Sequence, residues 1–338
     1  MDLREIGWES YALERTPDSS YGRVALAARE RFLVWTAWGE VEATMSGRYR
    51  HLNTDQPCAG DWVVLRDGAV IAEVLPRRTK LSRKEPGKAA REQVLAANID
   101  VLFVVSGLDG DYNPSRLERY LVLAYESGAR PVILLNKSDL RADLRGVINR
   151  TERFAPGVPV LAVSALTQSG VDAIPSLIRQ GETVAFIGSS GVGKSTIVNC
   201  LLGEDRQRTT PVRSADSKGR HTTTTRELIL TPGQWLMMDL PGLRELQLWA
   251  DPEQIDNAFS EIAALAAHCK FRDCTHQHEP GCAVREAGLE ERRMESYQKL
   301  KRELAFLERQ ADPNLARETK KKWKAIEREI RHHPKRNG

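Results

Sequence analysis

The sequence predicts a multidomain chain in which a β-barrel is followed by a doubly wound α/β unit and then by a helical module with a cysteine cluster. Three observations lead to this fold class. The first 85 or so residues contain short β-type runs, apolar runs alternate with helical segments from about Asn98, and three cysteines share one short window near the C-terminus. A length of 338 residues is enough for two or three domains. We expect them at 1–88, 89–250 and 251–338.

The N-terminal segment has the composition of a small barrel. The stretches RFLVWTAWGEVEATMSG, GDWVVLRDG and AVIAEVLPRR combine β-branched and aromatic residues with Gly or Asp at the expected turns. The OB-fold is one barrel of this size, and it often binds nucleic acid. Basic residues follow directly, and they form either a solvated linker or an RNA-facing patch: Arg77, Arg78, Lys80, Arg83 and Lys84.

The central segment alternates apolar runs with helices, as a doubly wound α/β sheet does. Each of the runs VLFVVSG, PVILLNKSD, VPVLAVSAL, TVAFIGSSG and QWLMMDLPG ends in a polar or Gly-rich loop. The segment RLERYLVLAYESG is an amphipathic helix that we expect to end at Gly128. Ligands of such sheets bind beyond the carboxyl ends of the strands, so these loops are expected along one edge.

The loop after TVAFI matches a phosphate-binding motif. Its glycines let the backbone N–H groups point at phosphate oxygens, and the helix IVNCLL that follows adds its positive end. Lys194 is expected at the β and γ phosphates and Ser195 at Mg²⁺. The predicted phosphate-binding residues are Gly188, Ser189, Ser190, Gly191, Val192, Gly193, Lys194, Ser195 and Thr196.

Two further loops predict that the base of the nucleotide is guanine. Asp139 can accept hydrogen bonds from both guanine N1 and the exocyclic amine, which adenine cannot both provide. Asn136 can bridge the base and neighbouring loops, and the stem of Lys137 can lie over the ring. Backbone N–H groups of the second loop can reach guanine O6. The predicted residues are Asn136, Lys137, Ser138, Asp139, Ser164, Ala165 and Leu166.

A magnesium site is predicted from the strand QWLMMD and the polar segment before it. Asp239 is expected to hold Mg²⁺ through water, and the N–H of Gly242 is expected at the γ phosphate. The preceding segment RTTPVRSADSKGRHTTTTREL has little apolar periodicity, so we expect it to be mobile. One threonine of 222–225, here Thr223, is expected to join Ser195 and Asp239 at the ion. Thr224 and Thr225 can instead form a β edge.

The cysteine cluster near the C-terminus predicts one structural zinc ion per chain. Three thiolates and one imidazole make a tetrahedral set that leaves no open position for catalysis. His268 and His278 flank the set as alternative ligands, whereas Cys58 and Cys200 lie outside it. The predicted ligands are Cys269, Cys274, His276 and Cys282.

Charge and hydropathy define the class of protein. From Arg292 to the end there are 15 Lys and Arg against 7 Asp and Glu. This basic tail is either a solvated helix face or a contact to a phosphate backbone. No apolar run approaches the roughly 20 residues that span a bilayer, and the first residues do not form a signal peptide. We therefore expect a cytoplasmic protein, with no membrane contact, that is a monomer.

The order of the motifs resembles one family in particular. NKSD, SAL, GSSGVGKST, GRHTTTT and DLPG follow each other in the order typical of circularly permuted GTPases. With the β-rich front and the cysteine-rich tail, the chain resembles the RsgA (YjeQ) family of ribosome-small-subunit-dependent GTPases. Termini of compact domains often lie close together, so a permuted sheet retains all its loops on one edge.

The resemblance implies a GTP-hydrolysing factor for late assembly of the small ribosomal subunit. It implies Mg²⁺ with GTP, contact with the subunit and its rRNA, GTP-dependent binding, subunit-stimulated hydrolysis and the same zinc site. Leu243 stands where Ras-like enzymes have a water-orienting glutamine, and leucine cannot orient water. The resemblance assigns a catalytic role to His221, whose alternative is a solvated loop histidine. A GTP-regulated protein-binding switch without RNA contact is the alternative function.

Overall fold

The structure is a computed structural model, and it describes residues 2–11, 20–28, 30–47, 49, 56–84, 92–203, 226–240 and 252–311. A short helix α1 at Trp8–Tyr11 precedes a closed five-stranded barrel. The barrel order is β1-β2-β3-β5-β4, and β4 pairs back onto β1. Its strands are β1 Tyr21–Ala28, β2 Arg31–Thr36, β3 Gly39–Met45, β4 Trp62–Arg66 and β5 Val70–Val74.

The central unit is a sheet in which β10, β9, β8, β11 and β13 run parallel and β12 runs antiparallel to β13. Its strands are β8 Val101–Gly107, β9 Arg130–Asn136, β10 Val160–Ala162, β11 Thr183–Ile187, β12 Arg226–Leu230 and β13 Leu236–Asp239. Its helices are α2 Pro114–Ser127, α3 Leu144–Phe154 and α4 Lys194–Leu202.

The sheet is covered on both faces. All seven residues of β8 are buried, and they alternate between two cores: Leu102 and Val104 face one, whereas Val101, Phe103 and Val105 face the other. A strand buried on both faces is continuously apolar, which explains the run VLFVV. The doubly wound arrangement predicted from the sequence is therefore present.

The amphipathic helix α2 begins and ends as its sequence predicts. Asn113 caps its first turn by accepting a hydrogen bond from the Arg116 N–H, and a proline follows the cap. Gly128 ends the helix at φ +79°, a left-handed conformation that favours glycine.

The barrel and the central sheet are joined by direct strand pairing. β1 pairs antiparallel with β12, so a single sheet extends through both units. The fully buried Arg23 on β1 donates to the Ile6 carbonyl at 2.5 Å and to Thr183 Oγ1 at 2.7 Å. Burial lowers the pKa of Arg23 to about 10, which leaves the guanidinium charged at neutral pH. A hairpin of β6 Lys80–Lys84 and β7 Glu92–Ala97 spans the predicted boundary at residue 88, and the domain limits stay a prediction.

The C-terminal module is helical. Its elements are α5 Pro252–Ala258, α6 Ser260–Ala266, α7 Ala283–Glu286 and α8 Glu291–Ala311. Leu300 and Leu304 of α8 are buried in the main core, as their helical spacing predicts. Within the described ranges, no helix combines the length and the apolar character that crossing a bilayer requires.

Candidate nucleotide site and metal centre

The phosphate loop lies between β11 and α4, as the motif requires. Gly191 and Gly193 adopt φ values of +81° and +94°, which glycine accepts readily. A side chain at Gly193 would also collide with the Asn136 amide. The loop therefore depends on glycine both for its curl and for its contact with the neighbouring strand end.

Two cations lie on the phosphate loop. The Nζ atom of Lys194 donates to the carbonyls of Gly188 at 2.8 Å and Ser189 at 2.6 Å. The Arg116 guanidinium comes from the first turn of α2 and donates to the Ser189 hydroxyl and, at 2.6 Å, to Asp111. Both positive charges therefore lie against the loop that is predicted to bind phosphate.

Asn136 connects the three loops predicted to bind the nucleotide. It is the last residue of β9 and is buried. Its Nδ2 donates to the Val192 carbonyl at 2.7 Å, and its Oδ1 accepts from the Ala165 N–H at 3.0 Å. One amide thus fixes the phosphate loop and the SAL loop relative to the strand that delivers NKSD.

The other NKSD residues are held by neighbouring loops. The backbone of Lys137 is left-handed at φ +63°, and its ammonium lies 2.5 Å from the Asp109 carboxylate. That hydrogen bond holds the pKa of Asp109 below its usual value. The Asp139 carboxylate is exposed and accepts from the Ser164 hydroxyl at 2.5 Å. A carboxylate that is exposed at the strand edge is available to an incoming base.

The predicted magnesium residues are described only in part. Ser195 lies in the first turn of α4, and Asp239 ends β13, which runs parallel to β11. Both therefore leave the sheet at the same edge. Several positions that the sequence analysis singles out lie outside the described residues. They are His221, Thr223, Gly242, Leu243 and the tail after residue 311.

The metal centre brings the four predicted ligands together. The ligand atoms of Cys269, Cys274, His276 and Cys282 all lie within 4.8 Å of one another. The Cys269 sulfur is 3.9 Å from the Cys282 sulfur and 3.6 Å from His276 Nδ1, which is 3.5 Å from the Cys282 sulfur. Ideal tetrahedral zinc separates two sulfurs by about 3.8 Å and sulfur from nitrogen by about 3.6 Å. The spacing fits an ion of that size.

The surroundings affect how readily these ligands lose protons. Desolvation works to raise the pKa of Cys269, but the backbone N–H groups of Val284 and Ala283 donate to its sulfur, and the pKa lies below its usual value. Desolvation and the other two thiols raise the pKa of Cys274 to about 11. Burial lowers the pKa of His276, which favours the neutral imidazole that ligates metals.

Glu279 organises the loop that presents the ligands, and sequence reasoning missed it. Its carboxylate accepts from the Thr275 hydroxyl and N–H, at 2.5 and 2.9 Å, and from the N–H groups of Gln277 and His278. These bonds hold the pKa of Glu279 well below its usual range. A Thr followed four residues later by Glu is the only sequence signal, and it is too common to be specific.

Comparison with family models places the chain beside known GTPases. The model described as RsgA GTPase matches residues 74–249. A second model, described as 50S ribosome-binding GTPase, matches residues 183–329.

Individual relatives resemble the chain over nearly its whole length. A protein of Opitutus terrae named small ribosomal subunit biogenesis GTPase RsgA is 46% identical, and the alignment covers 96% of each chain. The crystal structure of YjeQ from Thermotoga maritima is similar with a TM-score of 0.66 and 27% identity, over 84% of this chain and 98% of that one. YloQ, described as a circularly permuted GTPase, shares the fold with a TM-score of 0.62 and 23% identity, over 86% of this chain and 97% of its own.

Proposed function

We propose a function that proceeds from one premise: this chain belongs to the RsgA family of GTPases. The resemblance predicted from the motif order is therefore confirmed, and so is the fold class of barrel, permuted GTPase unit and cysteine-containing module. The chain is a GTP hydrolase. Its proposed role is in biogenesis of the small ribosomal subunit, the role in the names of its relatives.

The observation that supports this function best is the position of Asn136. Because its amide holds the phosphate loop and the SAL loop together, the proposed phosphate and guanine sites lie side by side. In the proposed site, residues 188–196 bind the phosphates and Asp139 reads the base. Ser195, Asp239 and Thr223 would hold Mg²⁺ with GTP, and the ion would neutralise the charge that develops during phosphoryl transfer.

The metal is proposed to be zinc with a structural role. Three sulfurs and one imidazole are the donor set that zinc prefers, and four protein ligands leave no position for a substrate. An ion held by Cys269 and Cys282 ties the loop after α6 to the start of α7. It would therefore fix the module that packs against the GTPase unit.

The barrel and the basic tail are proposed to bind the small subunit by contacting its rRNA. The partners are the small subunit, GTP and GDP, and the protein is proposed to be a cytoplasmic monomer. Subunit binding would place His221 for catalysis and thereby accelerate hydrolysis, since catalysis needs a fixed geometry.

Sedimentation with purified ribosomal subunits tests this function. We expect the chain to sediment with the small subunit in a non-hydrolysable GTP analogue and to be released in GDP, and we expect small subunits to stimulate GTP turnover. Large subunits are the matched control. Equal sedimentation in both nucleotides, or none, together with unstimulated turnover would contradict the proposal and favour a switch that acts on a protein partner.

A further inference from the structure

Helix α2 contacts the phosphate loop at its first turn. Arg116 donates through one guanidinium nitrogen to the hydroxyl of Ser189, the second residue of the phosphate loop, and to Asp111. The same loop residue accepts from Lys194 through its carbonyl. The loop is therefore held by a cation from outside its own motif.

The next residues of α2 are anchored to the C-terminal module. The side chain of Glu118 is fully buried, and its carboxylate lies 3.0 Å from both Arg292 and Arg293 of α8. Arg119 makes two hydrogen bonds with Glu303 of the same helix, at 2.6 and 2.7 Å. A buried carboxylate that loses its partners is left as an uncompensated charge, so separating α2 from α8 is costly.

The two sets of contacts lie less than one helical turn apart. Residues 116 and 119 are separated by about 4.5 Å along a helix axis, a distance over which a packed helix is rigid. The helix also packs against α5, which restricts it further. Static contacts therefore connect Ser189 to α8 through less than one turn of α2.

We propose that α2 couples the phosphate loop to the C-terminal module, with Arg116 as a positioning residue that acts on the loop through Ser189. The inference rests on the proposed binding of GTP at this loop. Coupling between two sites is reciprocal. If a nucleotide changes the affinity of the C-terminal module for a partner by some factor, binding of that partner changes the affinity for the nucleotide by the same factor. The ion pairs of α2 supply the connection.

The first test examines the end of α2 at the phosphate loop. In the full chain, Arg116→Gln and Ser189→Ala are made singly and together, and the Kd values for Mg-GDP and a non-hydrolysable Mg-GTP analogue are measured with fluorescent nucleotides. Each single change is expected to weaken binding by roughly 10- to 100-fold, the value of a hydrogen bond to a charged group. The Kd of the double variant is expected to equal that of the single variant with the weaker nucleotide binding, because both changes remove the same hydrogen bond.

Two matched variants distinguish the positioning role of Arg116 from a nonspecific effect of the substitution on folding or charge. Arg150→Gln makes the same chemical change on the exposed face of α3 and is expected to leave both Kd values unchanged. Arg116→Lys keeps the charge and is expected to recover most of the affinity. The positioning role of Arg116 would be overturned if the single variants had unchanged Kd values. It would also be overturned if the fold-change in Kd of the double variant were the product of the two single fold-changes.

The second test examines the other end of α2. Arg119→Glu and Glu303→Arg each place like charges opposite one another, whereas the double variant restores an ion pair in reverse. Each single change is expected to alter the nucleotide Kd by roughly fivefold or more, and the double variant to restore it. Unchanged Kd values in the single variants would overturn the coupling. A wild-type chain that binds no guanine nucleotide would instead refute the proposed function.

Discussion

The nucleotide edge and the metal centre are built on opposite principles. At the nucleotide edge, Asn136 joins residues 56 and 29 positions away along the chain. At the metal centre, all four ligands lie between residues 269 and 282. The first site therefore exists only after the whole sheet has formed, whereas the second is assembled by a short loop around one ion.

This difference determines where each site obtains its stability. The NKSD loop and the phosphate loop follow β9 and β11, which are buried on both faces, so hydrophobic packing fixes these loops before any ligand arrives. At the metal centre, Cys282 lies in the main core and Cys269 and Cys274 pack against it, but the loop that carries these thiols contains no helix or strand before α7. A ligand is consequently expected to stabilise the second site far more than the first.

Removing one thiolate from the metal centre is expected to have the largest effect. In small zinc modules the apparent free energy of zinc binding is roughly 10–16 kcal/mol, and because the ion binds only the folded loop, this energy also stabilises the fold. Cys274→Ser is therefore expected to lower the zinc content from one per chain to near zero and to loosen the C-terminal module. Guanine nucleotides are expected to bind still, because the nucleotide loops contain no residue of this centre, and any change in their Kd is expected to be no larger than the change that α2 transmits from the C-terminal module.

Metal analysis after purification without chelators measures the zinc content, and limited proteolysis measures the order of the module. Cys200→Ser removes a thiol outside the centre and is expected to keep the full zinc content. Wild-type protein without stoichiometric zinc would contradict the site.

Changing the base-reading carboxylate is expected to have the next largest effect. Asp139→Asn replaces an acceptor by an amide that can donate to the O2 of xanthine, so the preference moves from GTP to XTP. Loss of two hydrogen bonds to a charged group weakens GTP binding by roughly 10²- to 10⁴-fold. Competition binding with both nucleotides measures the change, and Asp172→Asn, at an exposed residue of the 3-10 helix Val171–Leu177, is the control. A variant that keeps its preference for GTP would remove Asp139 from base recognition.

Features that depend on residues close together in the chain are predictable from the sequence. Gly128 at the end of α2 and the cluster from Cys269 to Cys282 are visible because their spacing is short. Long-range pairs were not visible. Glu118 reads as a solvated charge on an amphipathic helix, yet its partner Arg292 lies 174 positions later. The sequence predicts the basic tail as a solvated helix face or a phosphate contact, whereas its first two arginines, Arg292 and Arg293, pair with the buried Glu118 carboxylate.

Replacing the proposed catalytic histidine tests a residue that belongs to neither site in the described structure. Leu243 cannot orient water, so His221→Ala is expected to retain GTP affinity and subunit binding but to lose subunit-stimulated turnover by about 10²-fold. Single-turnover hydrolysis with and without small subunits measures this. His268→Ala, a histidine beside the metal centre, is the comparison. Unchanged stimulated turnover in His221→Ala would exclude the residue from the mechanism.

The smallest effect, a change in zinc affinity, is expected at Glu279. This residue supports the metal loop without being a ligand, so it tests whether the loop or the ion organises the centre. Its carboxylate accepts hydrogen bonds from Thr275, Gln277 and His278, so it shapes the loop on either side of His276. Glu279→Gln retains one acceptor oxygen and loses the charge, so most of the loop geometry is expected to survive.

Groups that orient metal ligands directly are worth about 10- to 100-fold in metal affinity, and Glu279 acts at one step further away. The expected loss for Glu279→Gln is therefore below about tenfold, measured by competition with a zinc chelator of known affinity. Glu286→Gln, an exposed residue of α7, is the matched control. A loss as large as that of Cys274→Ser would mean that the loop, rather than the ion, organises the centre. The contrast with the nucleotide edge would then be wrong, because both sites would depend on hydrogen bonds formed before their ligand binds.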